Sequence, residues 1–138
     1  METRALFVDT SAWVALANPR DERHERAKPM WHAAARAGRL VVTTNIVVGE
    51  THAMLMSRRG RGPAAAFLDT LLDSPEVTLV WADEDLTLSA RERWLRKLRD
   101  KDISLADAIS FEAMDRERIH EAFAFDRDFE RAGFRLLK

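Results

Sequence analysis

Arg4-Ala5-Leu6-Phe7-Val8-Asp9-Thr10-Ser11 decides how the chain is read, because an apolar run stops abruptly at a carboxylate. Leu6, Phe7 and Val8 have the unbroken apolar character of a short strand buried on both faces, as in the centre of a parallel sheet. Asp9 then falls at the carboxyl end of that strand. In open α/β sheets this edge forms the crevice where ligands bind, so an acid there is placed for chemistry. The ordinary use of Asp9, Thr10 or Ser11 is to cap the helix that begins near Ala12. Recurrence of the same arrangement further along the chain favours the chemical reading.

Working outward, strands and helices alternate. Ala12–Ala17 reads as a short helix stopped by Asn18-Pro19, and His24–Ala37 as a second helix ended by Gly38. Leu40-Val41-Val42-Thr43 is a β-branched strand, after which Thr44 or Asn45 can cap a helix from Ile46 to about Arg59. Gly60-Arg61-Gly62-Pro63 breaks the chain before a helix over Ala64–Leu72, and Val77–Trp81 is a third strand. Asp83 caps an expected long charged helix reaching Arg99. A further helix is expected from Ser104 to Met114, then a strand over His120–Phe125, a short helix from Arg127, and a last strand over Phe134–Leu137 after Gly133. Strands separated by helices of these lengths imply right-handed crossovers and an α/β fold. The expectation is a mainly parallel five-stranded sheet with helices on both faces, a Rossmann-like three-layer sandwich.

Composition bounds the chemistry. With 138 residues, 46% of them hydrophobic, the chain is expected to form one domain, residues 1–138, with a single core. It has no cysteine, which excludes disulfides, zinc-thiolate sites and thiol nucleophiles and makes an intracellular, cytoplasmic setting the expectation. Neither a signal peptide nor a membrane span is read in the sequence. The net charge of −1, from 22 basic and 23 acidic residues, leaves nucleic-acid binding to be decided by how those charges are distributed.

Four acids stand where acids are not casual. Asp126 ends the apolar run Ala122-Phe123-Ala124-Phe125 much as Asp9 ends its own, so two strands deliver carboxylates to one edge. Glu50 is spaced three and four residues from Ile46, Val47, Ala53 and Met54, which predicts a position on the core-facing side of its helix. Asp107, in Ser104-Leu105-Ala106-Asp107-Ala108, matches a capping box but also places a carboxylate at the first turn of a helix. Asp128, two residues after Asp126, either joins the group or favours the N-terminus of the helix that follows.

Several ionised carboxylates in one crevice repel unless some protonate or a cation joins them. Mg²⁺ or Mn²⁺ prefers carboxylate and water ligands and can support attack of water on a phosphoryl centre. His24, His32, His52 and His120 form no zinc-ligand pair, and there is neither a Gly-rich phosphate loop nor a G-x-S-x-G elbow. Metal-assisted phosphodiester hydrolysis is therefore the leading chemistry.

Val8-Asp9-Thr10-Ser11, Thr44-Asn45-Ile46-Val47-Val48-Gly49-Glu50-Thr51, Ser104-Leu105-Ala106-Asp107-Ala108 and Ala124-Phe125-Asp126-Arg127-Asp128-Phe129, in this order, resemble the motifs of PIN-domain nucleases. The resemblance runs over nearly the whole chain. The compact form is most similar to the VapC-type toxins of toxin–antitoxin pairs. It implies a Mg²⁺- or Mn²⁺-dependent ribonuclease with Asp9, Glu50, Asp107 and Asp126 as its acidic site. Asp9 and Asp107 would be the main metal ligands, and Thr10, Ser11, Ser104 and Asp128 would support them. It further implies an RNA substrate, a cognate antitoxin and a homodimer.

The basic residues fit RNA more loosely. Arg58, Arg59 and Arg61 cluster after the Glu50 helix, and Arg91, Arg93, Arg96, Lys97, Arg99 and Lys101 load the helix after Asp83. Runs of this kind are commonly solvated faces; turned toward the crevice, they would hold phosphates. Trp13, Trp31 and Trp94 are candidates for base stacking, with core packing as their ordinary use. Two other readings stay open. One is a receiver-like module accepting a phosphoryl group in a Mg²⁺ pocket; the other is an interaction domain whose acids are only caps.

Overall fold

Leu6, Phe7 and Val8 are wholly removed from solvent and form the body of the central strand β1 (Ala5–Val8) in the computed structural model, which describes residues 4–99 and 102–138. Burial of each such side chain is worth about 1.5–3 kcal/mol, so this run anchors the sheet. The other strands are β2 (Leu40–Thr44), β3 (Val77–Val80), β4 (Glu121–Phe123) and β5 (Arg135–Leu136), in the spatial order β3-β2-β1-β4-β5 with every pairing parallel. The registers Phe7↔Val42, Val8↔Phe123 and Thr44↔Val80 bring the carboxyl ends of β1 to β4 to one edge.

Helices α1 (Thr10–Ala17), α2 (His24–Arg36), α3 (Asn45–Arg59) and α4 (Arg61–Leu72) lie in the crossovers from β1 to β2 and from β2 to β3. Both crossovers step in the same direction, so right-handedness puts all four helices on one face. The connection from β3 returns past β1 to β4, which places α5 (Glu84–Ala90) and α6 (Leu105–Arg116) on the other face. A short α7 (Asp128–Arg131) precedes β5. The result is the expected three-layer α/β arrangement around a parallel five-stranded sheet. Among the described residues, no helix is long and apolar enough to cross a membrane.

Helix α4 starts at Arg61, so Gly62 and Pro63 lie in its first turn rather than in a break before it, and three further elements differ from expectation for local reasons. The charged helix after Asp83 is α-helical only to Ala90; Arg91–Leu95 then widens into π-type hydrogen bonding, with Arg96 N–H donating to Arg91 O at 3.2 Å. The widened turn coincides with the buried Glu112 of α6, which accepts from the adjacent residues Arg93 (2.9 Å) and Trp94 (3.0 Å), and also from Arg116 (3.0 Å). A buried carboxylate needs such partners, and a widened turn lets neighbouring side chains converge on it. Second, β4 stops at Phe123 rather than Phe125. Its partner β1 turns into α1 after Val8, so Asp9 N–H to Phe123 O (3.0 Å) is the last rung, and the Phe125 N–H donates instead to Ser11 Oγ (2.9 Å). Third, the short helix begins at Asp128, with Arg127 as its N-cap.

The tryptophans named from sequence pack internally. Trp13 is buried against Trp31 and Phe67, with ring centroids 5.6 and 6.0 Å away, and Trp94 lies on Phe111 and Phe134 at 5.4 and 5.9 Å. The apolar surface of α1, α2 and α4 around Trp13 is thus largely satisfied by the chain itself.

Candidate active site

Asp9 is the first residue past β1 and is only 7% exposed. It is the N-cap of α1 by position, yet its side chain accepts no capping hydrogen bond. The carboxylate is buried without performing the structural task that would ordinarily explain it. Burial raises its pKa from 3.8 to about 7; a hydrogen bond from the Thr10 backbone opposes this, and the charges of Asp107, Asp126 and Glu50 add to it. Four carboxylates from four separated motifs therefore share one electrostatic neighbourhood.

Asp107 does take part in the expected capping box: Ser104 Oγ accepts from the Asp107 N–H (3.0 Å), and Asp107 Oδ2 accepts from the Ser104 N–H (3.3 Å). The box spends one of its two oxygens and points the group into the crevice. Its pKa is also raised, first by burial, against the lowering effect of the Ser104 hydrogen bonds, with the charges of Asp126 and Asp128 contributing. Asp126 lies three residues beyond the end of β4, so it does not end its strand as Asp9 does. It is held instead by a tight turn in which Asp126 Oδ1 accepts from the Asp128 N–H at 2.9 Å.

This turn makes Asp128 a neighbour of the site. One carboxylate oxygen from each of Asp107, Asp126 and Asp128 lies within 4.8 Å of the others. Neighbouring oxygens on an octahedral Mg²⁺ ion are about 3 Å apart, so the three carboxylates would have to draw closer to enclose one hard cation, for which an all-oxygen set is suited. Asp9, expected from the resemblance to be a main ligand beside Asp107, is not one of this trio and enters through its charge. Asp128 takes part because the turn folds it back, a relation that its spacing from Asp126 left open.

Glu50 corrects a sequence expectation, since it is exposed rather than on the core side of α3. The buried stripe of α3 is Val47, Val48, Thr51 and Leu55, and Glu50 lies about 115° around the helix from its centre at roughly 100° per residue. It nevertheless faces the crevice, because Thr10 Oγ1 donates to Glu50 Oε1 at 3.1 Å. Ser11 joins the start of α1 to the Phe125–Asp126 segment through the bond to Phe125 N–H. Ser11 thus ties the start of α1 to the segment that carries Asp126, Thr10 holds the Glu50 side chain, and Ser104 bonds Asp107 within its own helix start.

The basic residues singled out from sequence are mostly engaged elsewhere. Arg96 is 2.6 Å from Glu92, Arg58 is 3.8 Å from Asp21, and Arg59 donates to Asn18 at 3.3 Å, while Arg61 is exposed at the start of α4. Lys101 lies outside the described residues. The tryptophan left open to solvent is Trp81, 66% exposed one residue past β3 at the carboxyl edge. Its place at a strand end was the available signal.

The PIN domain family matches residues 6–135. The 23S rRNA-specific endonuclease VapC20 of Mycobacterium tuberculosis is 41% identical over 129 residues, which cover 94% of this chain and 95% of the relative. The crystal structure of VapC20, described as a Sarcin-Ricin loop cleaving toxin, superposes with a TM-score of 0.86 at 39% identity, covering 94% of this chain and 96% of that one. VapBC2 from Rickettsia felis, solved bound to a DNA fragment from its promoter, shares the fold with a TM-score of 0.69 at 13% identity and 96% coverage of both chains. With its parallel sheet, its four motifs in order and a relative matched nearly end to end, the chain belongs to the PIN-domain family and, within it, to the VapC type.

Proposed function

We propose that this protein is a toxin ribonuclease that hydrolyses RNA phosphodiester bonds with Mg²⁺ or Mn²⁺, its 138 residues forming one nuclease domain. The observation that carries this reading is the convergence of Asp107, Asp126 and Asp128 within 4.8 Å beside the buried, cap-free Asp9. Asp107, Asp126 and Asp128 would hold the cation, with Asp9 and Glu50 completing the negative surround. When bound, the ion supplies positive charge for the phosphoryl transition state and eases deprotonation of a water. The chain's own residues prepare the site: the capping box aims Asp107, the turn at Asp126 aims Asp128, and the Ser11 hydroxyl fixes the Phe125–Asp126 backbone against α1. Asp9, with a pKa of about 7, accepts or keeps a proton close to neutral pH according to the charge placed beside it.

The 41% identity to a 23S rRNA-specific endonuclease makes structured ribosomal RNA the substrate class to test first. Purified protein incubated with total RNA should give discrete cut ends with Mg²⁺ or Mn²⁺ and none with excess chelator. Activity unchanged by chelator would end the metal-dependent reading.

The VapC resemblance also favours a small antitoxin partner, a homodimer and action in the cytoplasm. A basic side chain of the antitoxin, directed at the carboxylates, would neutralise them. Purification from the native host should return a complex whose nuclease activity rises when the partner is removed. A lone monomer, harmless on expression, would remove the antitoxin claim.

A further inference from the structure

Arg23 and Arg26 lie at the start of α2, and both guanidinium groups sit over the ring of Phe125, at 5.3 and 5.2 Å from its centroid. Phe125 immediately precedes Asp126, and its backbone is fixed by Ser11. The two cations thus cover the ring of the residue that precedes the crevice acid Asp126. Both arginines are exposed, and neither side chain meets a carboxylate among the described residues. Arg39, Arg58, Arg93, Arg96 and Arg116 each do. Contact with the Phe125 ring contributes only modestly at an exposed site, and against it stand the opposed helix dipole and the mutual repulsion of the two like charges. Stacking on an aromatic face also leaves the in-plane N–H groups of each guanidinium free, a fork that matches two phosphate oxygens.

We propose that Arg23 and Arg26, braced on Phe125, bind a backbone phosphate of the RNA strand next to the bond that is cut. The inference rests on the ribonuclease reading and adds to it the cationic contact that the acid-paired arginines do not supply. A phosphate placed there relieves the repulsion between the two guanidinium groups. It also offsets the barrier that a cluster of acids presents to a polyanion.

The test is steady-state cleavage of a ribosomal RNA transcript with Mn²⁺ across a series of NaCl concentrations. It compares wild type with Arg23→Gln, Arg26→Gln, the double variant and Phe125→Leu, with a melting curve for each. Loss of one phosphate contact on single-stranded RNA lowers the slope of log(kcat/KM) against log[NaCl] by about 0.7. The double variant should show at least that reduction, with kcat/KM down about 10-fold or more, mainly through KM, and with its melting temperature and Mn²⁺-induced stabilisation retained. Phe125→Leu keeps both charges but frees them, so it should raise KM while leaving the salt slope near wild type. A double variant with wild-type KM and slope, or one losing only kcat, overturns the clamp while the ribonuclease reading stands. So does a double variant that cleaves normally but escapes inhibition by a co-purified partner, since the arginines would then serve a protein. A wild-type protein that fails to cleave RNA brings down the ribonuclease reading, and the clamp with it.

Discussion

Asp107→Asn and Asp126→Asn should each lower RNA cleavage by orders of magnitude while leaving the metal-free fold at least as stable as wild type. The amide retains the oxygen that each local structure requires. In the first variant the amide oxygen can still accept from the Ser104 N–H, as Asp107 Oδ2 does at 3.3 Å. In the second it can still accept from the Asp128 N–H, as Asp126 Oδ1 does at 2.9 Å. What the substitution removes is one negative charge from a cluster whose members repel. The same charge is what a divalent cation needs, so stabilisation by Mn²⁺ should shrink; for an intact site at roughly 100 times its dissociation constant it amounts to about 2.7 kcal/mol. Asp83 is the control. Its Oδ1 accepts from the Leu86 N–H at 2.9 Å as an ordinary cap of α5, so Asp83→Ala should cost roughly 1 kcal/mol and cleave normally. Melting curves in chelator and in Mn²⁺, with a cleavage rate for each variant, make the comparison. Full cleavage by Asp107→Asn, joined to a less stable metal-free protein, would reduce Asp107 to the partner of Ser104 in a capping box.

Asp9→Asn should make the metal-free protein more stable near neutral pH and remove much of its pH dependence. The pKa of Asp9 stands at about 7 in the folded chain against 3.8 for the unperturbed group. Between these values the folded protein keeps a proton that the unfolded chain has released, so stability falls as pH rises from about 4 to about 7 and levels off above. At about 1.36 kcal/mol per pH unit this fall comes to about 4 kcal/mol, and Asp107, also raised, adds in the same direction. The gain from the amide is smaller, roughly 2 to 4 kcal/mol at about pH 8, because the buried NH₂ group must lose its own hydration. At about pH 4 or below, where wild-type Asp9 is protonated in the folded chain, the variant should equal wild type or fall below it by up to about 2 kcal/mol, the cost of burying the amide. Urea unfolding in chelator at about pH 4, 6 and 8 measures the slope directly. Parallel pH profiles for wild type and Asp9→Asn would show that the Asp9 carboxylate is not held against its charge. Mn²⁺ should restore wild-type stability at alkaline pH more than it does that of the variant, since the cation offsets the strain that the amide has already removed.

The alternation of short apolar runs with helix-length segments determined the parallel sheet. The unbroken apolarity of Leu6-Phe7-Val8 put β1 at its centre, because only a strand covered on both faces dispenses with polar alternation. The positions of Asp9 and Asp126 past their strands and of Asp107 at a helix start likewise pointed these acids to the carboxyl edge, since parallel strands all end there. Relations between elements were decided only by the tertiary structure. Periodicity ranks the faces of one helix but does not say how that helix is rotated against its neighbours, so Glu50 emerged exposed and joined to Thr10. Backbone turn geometry, rather than spacing, brought Asp128 beside Asp107 and Asp126 and left Asp9 outside that trio. Charge pairing across elements also has no signature along the chain. Arg93 and Arg96 were absorbed by Glu112 and Glu92, while Arg23 and Arg26 came to rest on Phe125, about a hundred residues away. The chain could state which residues are chemically capable; the packing of helices against a common sheet decided which of them meet.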